Sequence, residues 1–325
     1  MGKVTNAMES IARAFFAGDT EDRLRIFEEV KREHQEVMDE LFGISSAYQE
    51  GIDVWFNLLQ KKLDEKPSSY FNFEYDQIVP FGEMFSTYIV NSYLHFIGAD
   101  SSWLDVRTVL KTNSQYREVE TDWDLTERLI KRHISFAENR IFVTQGFIGG
   151  TKEGLTTTLG REGSDYSAAV FGYVFNADSV SIWKDVPGIL NADPRWYPSP
   201  QKIDEISYRE AIELAFYGAQ VIHPKTIKPL ENQRIPLFVK PFSDSSAKGT
   251  VIYKMEGHVE LPPVYILKKE QVLITISPKD FSFIVEDSLS EIFKVFSRNR
   301  MKINLMHNSA INFSVCVDSM DSFDD

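Results

Sequence analysis

The chain has 325 residues, with 35 Lys+Arg against 48 Asp+Glu and a formal net charge of −13. A composition of 43% hydrophobic and 26% charged residues excludes a disordered chain, and the length predicts two domains or one large domain with a small companion. The acidic balance excludes a general nucleic-acid or anionic-membrane surface, although a nucleotide needs only a locally positive pocket.

In chain order, the first half reads as helices. Thr5-Asn6 precede an apolar run, and Asn6 with Glu9 three residues later forms an N-cap pair. Asp19 or Thr20 caps a longer helix in which Phe27, Val30, Val37, Met38 and Leu41 keep helical spacing. His34 falls on the same stripe and reads as a packed core histidine rather than a ligand. Gly43 ends that helix, and another runs through Trp55, Leu58, Leu59 and Leu63 before Pro67 stops it.

From Arg140 the pattern changes to strand, glycine-rich loop, helix, strand. Ile141 to Thr144 is a β-rich run feeding Gly146-Phe147-Ile148-Gly149-Gly150. Val180 to Trp183 is a strand, Pro187-Gly188 and Asp193-Pro194 are turn signals, Ile206 to Tyr217 is helical, and Ile235 to Lys240 is a buried strand. This alternation predicts an α/β sandwich with a mostly parallel sheet. Beyond Leu261-Pro262-Pro263 a small unit begins. It has a strand at Val272 to Ser277 and a helix face of Leu289, Ile292, Phe293 and Phe296. Strands follow at Ile303 to Met306 and Ile311 to Val317. The order β-α-β-β is part of a ferredoxin-like α+β module, so the expected domains are residues 1–260 and 265–325.

The densest chemistry lies in Gly146 to Thr151 followed by Thr156-Thr157-Thr158-Leu159-Gly160-Arg161-Glu162-Gly163-Ser164-Asp165. A polar, glycine-interrupted loop enters an apolar helix here, with Ser164 or Asp165 as the expected N-cap. Free N–H groups at such a helix start bind anions, and Arg161 adds a fork suited to a carboxylate or phosphate. The P-loop, G-x-G-x-x-G, H-R-D and D-F-G motifs are absent, so neither a dinucleotide fold nor a protein kinase is supported. Six histidines lack metal-ligand spacing. The single cysteine, Cys316, allows no internal disulfide, and no apolar run reaches the roughly 18 residues of a membrane span. The expected location is the cytoplasm.

The string TTTLGREGSDYSAA resembles the signature of the aspartokinases, in the amino acid kinase superfamily. Agreement continues in MGKVTNAME, FGEMFST, WLDVRTVLKT, VTQGFIGGT, WKDVPGILNADPR and YGAQVIHPKTI, in order and over nearly the whole chain. The resemblance implies the three-layer amino acid kinase sandwich, with a partial regulatory ACT module at the C-terminal end. It also implies transfer of the ATP γ-phosphoryl group to the β-carboxylate of L-aspartate, with Mg²⁺ arriving on the nucleotide, as the first step toward lysine, threonine and methionine. Under it Arg161 clamps the α-carboxylate beside Thr5, and Glu83 faces the α-ammonium. Phe147, Ser164 and Asp165 line the same pocket, Asp165 with Arg161 being the expected catalytic pair.

Nucleotide contacts fall on Lys184, Asp185, Leu190, Arg195, Gln220 and Val221 under the same resemblance. Lys184 stands where many relatives have Thr, and Leu190 where many have Tyr. His223 is a structural turn residue. Asn304, Met306, Asn308 and Ser309 sit where an ACT module binds a feedback amino acid, lysine or threonine, and a homodimer or higher homo-oligomer is expected. The family begins with a K-F-G-G-T-S strand and a second strand ahead of the M-G-K-V-T-N equivalent. The expectation is therefore a chain cut at both ends, short of roughly 40 residues at its start at typical element lengths. Two other readings remain open: an amino acid kinase with a different acceptor, and a non-catalytic amino-acid sensor.

Overall fold

The structure is a computed structural model, and it describes residues 3–44, 46–137, 140–218, 222–255, 261–280, 282–299 and 301–319. Gln220 and Val221 lie outside the described residues. Five helices open the chain: α1 (Val4–Ala17), α2 (Thr20–Phe42), α3 (Ala47–Leu63), α4 (Phe71–Ile78) and α5 (Phe81–Phe96). They share one core, in which Met8, Ile11, Phe15, Met38, Ile52, Phe56, Leu59 and Phe85 are buried. The stripe read from α2 faces this core, with Phe27, Val30 and Met38 buried and Val37 and Leu41 partly buried against it, and Asp19 Oδ1 accepts from the Asp22 N–H at 3.0 Å at the helix start. His34 is fully buried, with Nδ1 2.7 Å from the Val30 carbonyl and its ring edge-on to Phe56 and Phe85.

Helix α1 corrects the reading of its own start. It begins at Val4, after a left-handed Lys3, so Asn6 and Glu9 lie inside it and no side chain caps it. Val4 packs on the helical core, which extends the apolar stripe one turn earlier, and Glu9 pairs with Arg13 at 2.6 Å instead of turning back to a cap.

The second layer carries the strands. β1 (Ser101–Leu104) pairs in parallel with β2 (Ile141–Thr144), and α6 (Trp123–His133) lies between them in sequence. β3 (Ile148–Gly150) and β4 (Thr156–Thr158) form an antiparallel hairpin leading into α7 (Gly163–Phe175). A four-stranded sheet follows, built from β5 (Val180–Lys184), β6 (Glu205–Ser207), β7 (Leu237–Pro241) and β8 (Thr250–Tyr253) in the order β5-β7-β8-β6. Helices α8 (Tyr208–Tyr217) and α9 (Pro224–Gln233) connect its strands. The α/β class is as expected, and within it the sheets are mixed. β5–β7 and β6–β8 are parallel while β7–β8 is antiparallel. The link between β7 and β8 is shorter than the dozen or so residues that a parallel crossover needs, so the chain turns straight back. The turn depends on Gly249, at φ +68, where a Cβ would lie 2.0 Å from the Val239 carbonyl oxygen.

Ile206 was expected to be helical and is instead the fully buried centre of β6. The helix starts two residues later because Ser207 and Glu210 close a capping box, each side chain bonding the other's backbone N–H. In the C-terminal unit, β9 (Gln271–Ile276), α10 (Glu286–Arg298), β10 (Ile303–Asn308) and β11 (Phe313–Asp318) follow in the predicted order, and the sheet is antiparallel, β10-β11-β9. Phe296 of α10 closes on Phe313, Val315 and Val317 as a separate small core.

Gly249→Ala should destabilise the chain by roughly 1–3 kcal/mol, since it adds a clash to a left-handed conformation. Gly154→Ala, at φ +87 with open space around it, should cost only the backbone strain, about 1 kcal/mol. Urea unfolding of the two variants side by side checks the difference.

Candidate functional site

A cavity of about 660 Å³ opens between the helical layer and the start of α7, and Thr5, Tyr75, Glu83, Arg117, Phe147, Arg161, Gly163 and Ser164 are among its lining residues. Six separate segments meet there. Thr5 comes from the first turn of α1, Tyr75 from α4 and Glu83 from the first turn of α5. Arg117 comes from the loop ahead of α6, Phe147 from the loop between β2 and β3, and Arg161, Gly163 and Ser164 from the turn after β4 and the start of α7. The sequence-predicted Thr5, Glu83, Phe147, Arg161 and Ser164 are thus brought together on one wall system.

The loop into α7 takes its shape from backbone conformation. Gly160 (φ +78) and Glu162 (φ +53) are both left-handed, and the helix begins at Gly163. Ser164 and Asp165 therefore sit in its first turn and not at its N-cap, which corrects the sequence reading. The N-cap residue is Glu162, whose side chain makes no capping hydrogen bond, so the first-turn N–H groups meet the cavity uncapped by a side chain. A Cβ at position 163 would lie 2.9 Å from the Phe147 ring, so only glycine lets that ring reach the helix start. Phe147 is itself left-handed at φ +70, with its N–H donating to Ser167 Oγ at 3.1 Å.

The charges in and under this cavity are unevenly compensated. Glu83 is partly buried, and burial alone raises its carboxyl above the ordinary value. Among the described residues its carboxylate has neither a hydrogen bond nor an ion pair. Arg161 is exposed and has no ionic partner there either. Asp165 departs from expectation because it is not on the cavity wall. It is buried, and Lys184 Nζ lies 2.7 Å from its Oδ2. Burial raises its pKa, and the lysine pulls the other way. The reason is helical geometry: α7 packs on β5, and position 165 faces the end of that strand while position 164 faces the cavity.

The expected nucleotide residues lie apart from this cavity. Lys184 ends β5 and Asp185 is exposed immediately beyond it. Leu190 is half-buried and bridges to Lys202, while Arg195 is exposed and bidentate to Asp193, its closest contact 2.6 Å. They share the C-terminal edge of β5 and the loop after it, where open α/β sheets hold ligands. His223 caps α9, its Nδ1 accepting from the Lys225 N–H at 3.1 Å.

The four residues expected to bind an effector are not gathered into one site. Asn304 lies in a polar cluster with Lys268, Gln271 and Asp318, and Met306 is 60% exposed. Asn308 ends β10, and Ser309 holds the hairpin turn through Asn312. Of the four, only Asn304 lines a second cavity of about 540 Å³, shared with Tyr217 of α8 and Cys316.

Two functional-site residues were not found from the sequence. Arg117 lines the cavity with its guanidinium 4.3 Å above the Tyr75 ring, on a left-handed backbone of φ +70. Nothing in its residue type signals that conformation. Asp76 lies fully buried behind the wall, accepting from Thr158 N–H (2.9 Å), Thr158 Oγ1 (2.7 Å) and Arg117 N–H (3.1 Å). A carboxylate in a helix that is otherwise half apolar was the available signal. Among the described residues no group of three or more His, Cys, Asp or Glu could hold a metal ion, and no helix is long and apolar enough to cross a membrane.

Residues 6–241 match the model of the amino acid kinase family. The chain belongs to that family. It is 35% identical over 251 residues to lysine-sensitive aspartokinase 3 of Escherichia coli K12, covering 76% of this chain and 55% of that protein. Similarity to the bifunctional aspartokinase/homoserine dehydrogenase of Daucus carota is 34% over 197 residues, covering 57% of this chain and 21% of that one. The chain therefore spans about half the length of the first relative and about a fifth of the second. Its fold matches that of E. coli aspartokinase III in complex with aspartate and ADP, with a TM-score of 0.83 and 28% identity, over 98% of this chain and 71% of that one. The same enzyme in complex with lysine and aspartate gives 0.79 and 29%, over 100% and 72%.

Burial lifts the Asp76 carboxyl from an ordinary 3.8 to about 6, outweighing its three donors and the Arg117 charge. The folded chain thus holds a proton that the unfolded chain has released between about pH 4 and 6. Stability from this group is present below that window, is lost as pH rises through it, and is flat above. Asp76→Asn removes the ionisation, so its stability relative to the parent should rise by roughly 2–3 kcal/mol from pH 4 to pH 7. Thermal unfolding of both chains across that range measures it.

Proposed function

We propose that this chain is the catalytic unit of an aspartate kinase, forming 4-phospho-L-aspartate from ATP and L-aspartate. The observation that carries the reading is the pairing, in one cavity, of a partly buried carboxylate and a guanidinium that have no ionic partner among the described residues. An α-amino acid supplies both missing charges. Its ammonium compensates Glu83, and its α-carboxylate takes the Arg161 fork and the N–H groups at the start of α7. Phe147, Thr5 and Ser164 close the sides, which leaves the side-chain carboxylate free to point toward β5. The match to an aspartokinase solved with aspartate and ADP supports the choice of aspartate.

The acceptor carboxylate is ionised at neutral pH and needs no general base. One of its oxygens attacks the γ-phosphorus, the bond to the β,γ-bridging oxygen breaks, and ADP leaves with that electron pair. Catalysis then consists of alignment and charge neutralisation. Lys184 stands at the end of β5 with Asp165 beside it, between the acceptor cavity and the loop of Asp185, Leu190 and Arg195 that we assign to the nucleotide. Gln220 and Val221 belong to the same assignment. Mg²⁺ supplies further neutralisation and travels with ATP. Residues 1–260 form the kinase unit in this reading and residues 265–325 a regulatory one. The likeness to an aspartokinase structure containing lysine supports lysine as its effector, acting in a homo-oligomer at the head of a lysine, threonine and methionine pathway in the cytoplasm.

Trapping the acyl phosphate with hydroxylamine tests the reaction. Aspartate should give hydroxamate with ATP, glutamate and N-acetylglutamate should not, and carbamate and UMP should release no ADP above background. Arg161→Ala and Glu83→Gln should each raise the aspartate KM about 10–100-fold with little change for ATP, as expected when a charge-assisted contact disappears. Unchanged aspartate saturation in both variants would remove the cavity from the reaction.

A further inference from the structure

We propose that Asp76 is a positioning residue that sets the acceptor-binding arms of the cavity by gathering Thr158 and Arg117 onto one carboxylate. The inference rests on the aspartate kinase reading and adds a residue that does not itself touch the acceptor. Asp76 lies on α4 behind the wall and is fully buried. Its Oδ2 accepts the N–H groups of Thr158 and Arg117, and its Oδ1 accepts the Thr158 hydroxyl. Those donors belong to the two segments that carry the cavity's guanidinium groups. Thr158 is the last residue of β4, three positions before Arg161, and Arg117 lies on the opposing loop.

The two segments also touch each other directly. A Cβ on Gly160 would lie 3.1 Å from the Arg117 carbonyl oxygen, so the arm leading to Arg161 rests against the backbone that Asp76 holds. Arg117 is a non-glycine residue at φ +70, a conformation that persists only where the surroundings over-determine it. One constraint is the hydrogen bond from its own N–H to Asp76, and the other is its guanidinium stacked 4.3 Å over Tyr75, the neighbour of Asp76 on α4. No cation contacts the Asp76 carboxylate among the described residues. Three neutral donors hold a buried charge, an arrangement that specifies geometry more than it adds stability.

The two substitutions at this position should separate positioning from simple packing. In Asp76→Asn the amide oxygen can accept both backbone N–H groups while its NH₂ donates to the Thr158 hydroxyl, so the clasp survives without charge. In Asp76→Ala it is gone. Steady-state turnover of the full chain, with aspartate and ATP varied separately, should show the aspartate KM raised about tenfold or more in Asp76→Ala, with kcat and the ATP KM within about twofold. Asp76→Asn should restore the aspartate KM to within about threefold of the parent. The proposal is overturned if Asp76→Ala saturates with aspartate like the parent, if it shifts both substrates equally, or if Asn is as impaired as Ala. Should Asp76→Ala fail to fold by circular dichroism, Thr158→Val removes only the hydroxyl donor. A raised aspartate KM there supports the clasp, and an unchanged one defeats it. A parent chain that neither turns over nor binds aspartate by calorimetry would instead defeat the aspartate kinase reading itself.

Discussion

Three carboxylates withdrawn from water within one region, each compensated differently, account for most of what this structure can do. Asp165 has a cation, Lys184, at 2.7 Å. Asp76 has three neutral donors and, among the described residues, no cation in contact. Among the same residues Glu83 has neither, and burial alone raises its pKa. An isolated buried carboxylate is costly in a folded protein unless something pairs with it, so one left uncompensated in a cavity is a place for a ligand's positive charge. In a chain of net charge −13, a guanidinium in the same cavity with no acidic partner among the described residues is equally informative, because acidic side chains are abundant.

These charges are placed by packing. The helical core of α1 to α5 holds Thr5, Tyr75 and Glu83 on one side. A second core, including Val106, Leu110, Ile148, Leu159 and Val170, holds the β3–β4 hairpin and α7 on the other. Phe147 packs against both, so the cavity is the seam between two cores. The seam stays open where backbone approaches backbone. A Cβ on Gly150 would meet the Arg107 carbonyl oxygen at 2.5 Å, and the glycine-rich loop is therefore a packing requirement as much as a binding device.

The Lys184–Asp165 pair joins that seam to the four-stranded sheet. It sits where β5 ends, with α7 above it, so a change on the loop after β5 is one ion pair away from the cavity at the start of α7. Such a pair is partly shielded from solvent and less screened by salt than a surface pair. The C-terminal unit is joined differently. Its small core around Phe296 and Phe313 is separate from the others, and its polar cluster of Lys268, Asn304 and Asp318 lies beside a cavity shared with α8.

The sequence alone determined the α/β class, the helical stripe through Phe27, Val30 and Met38, a cap at Asp19 or Thr20, and the strands from Ile141 and Val180, while the grouping of Thr5, Glu83, Phe147, Arg161 and Ser164 followed from its resemblance to a family. The first are local patterns of period and capping chemistry and the last is motif order, and a linear string carries both. What it could not carry depended on which segments meet. Ile206 became strand because it is fully buried at the middle of β6, and Ser207, the next residue, then supplied the helix cap. β7 and β8 became antiparallel because the turn at Gly249 is too short for a crossover. Asp165 left the cavity for Lys184 through the rotation of a single helical position. Arg117 and Asp76 became visible only when α4, the loop at 117 and the end of β4 were folded onto one carboxylate. Their significance lies in hydrogen bonds spanning some 40 and 82 positions, which no local window of sequence contains.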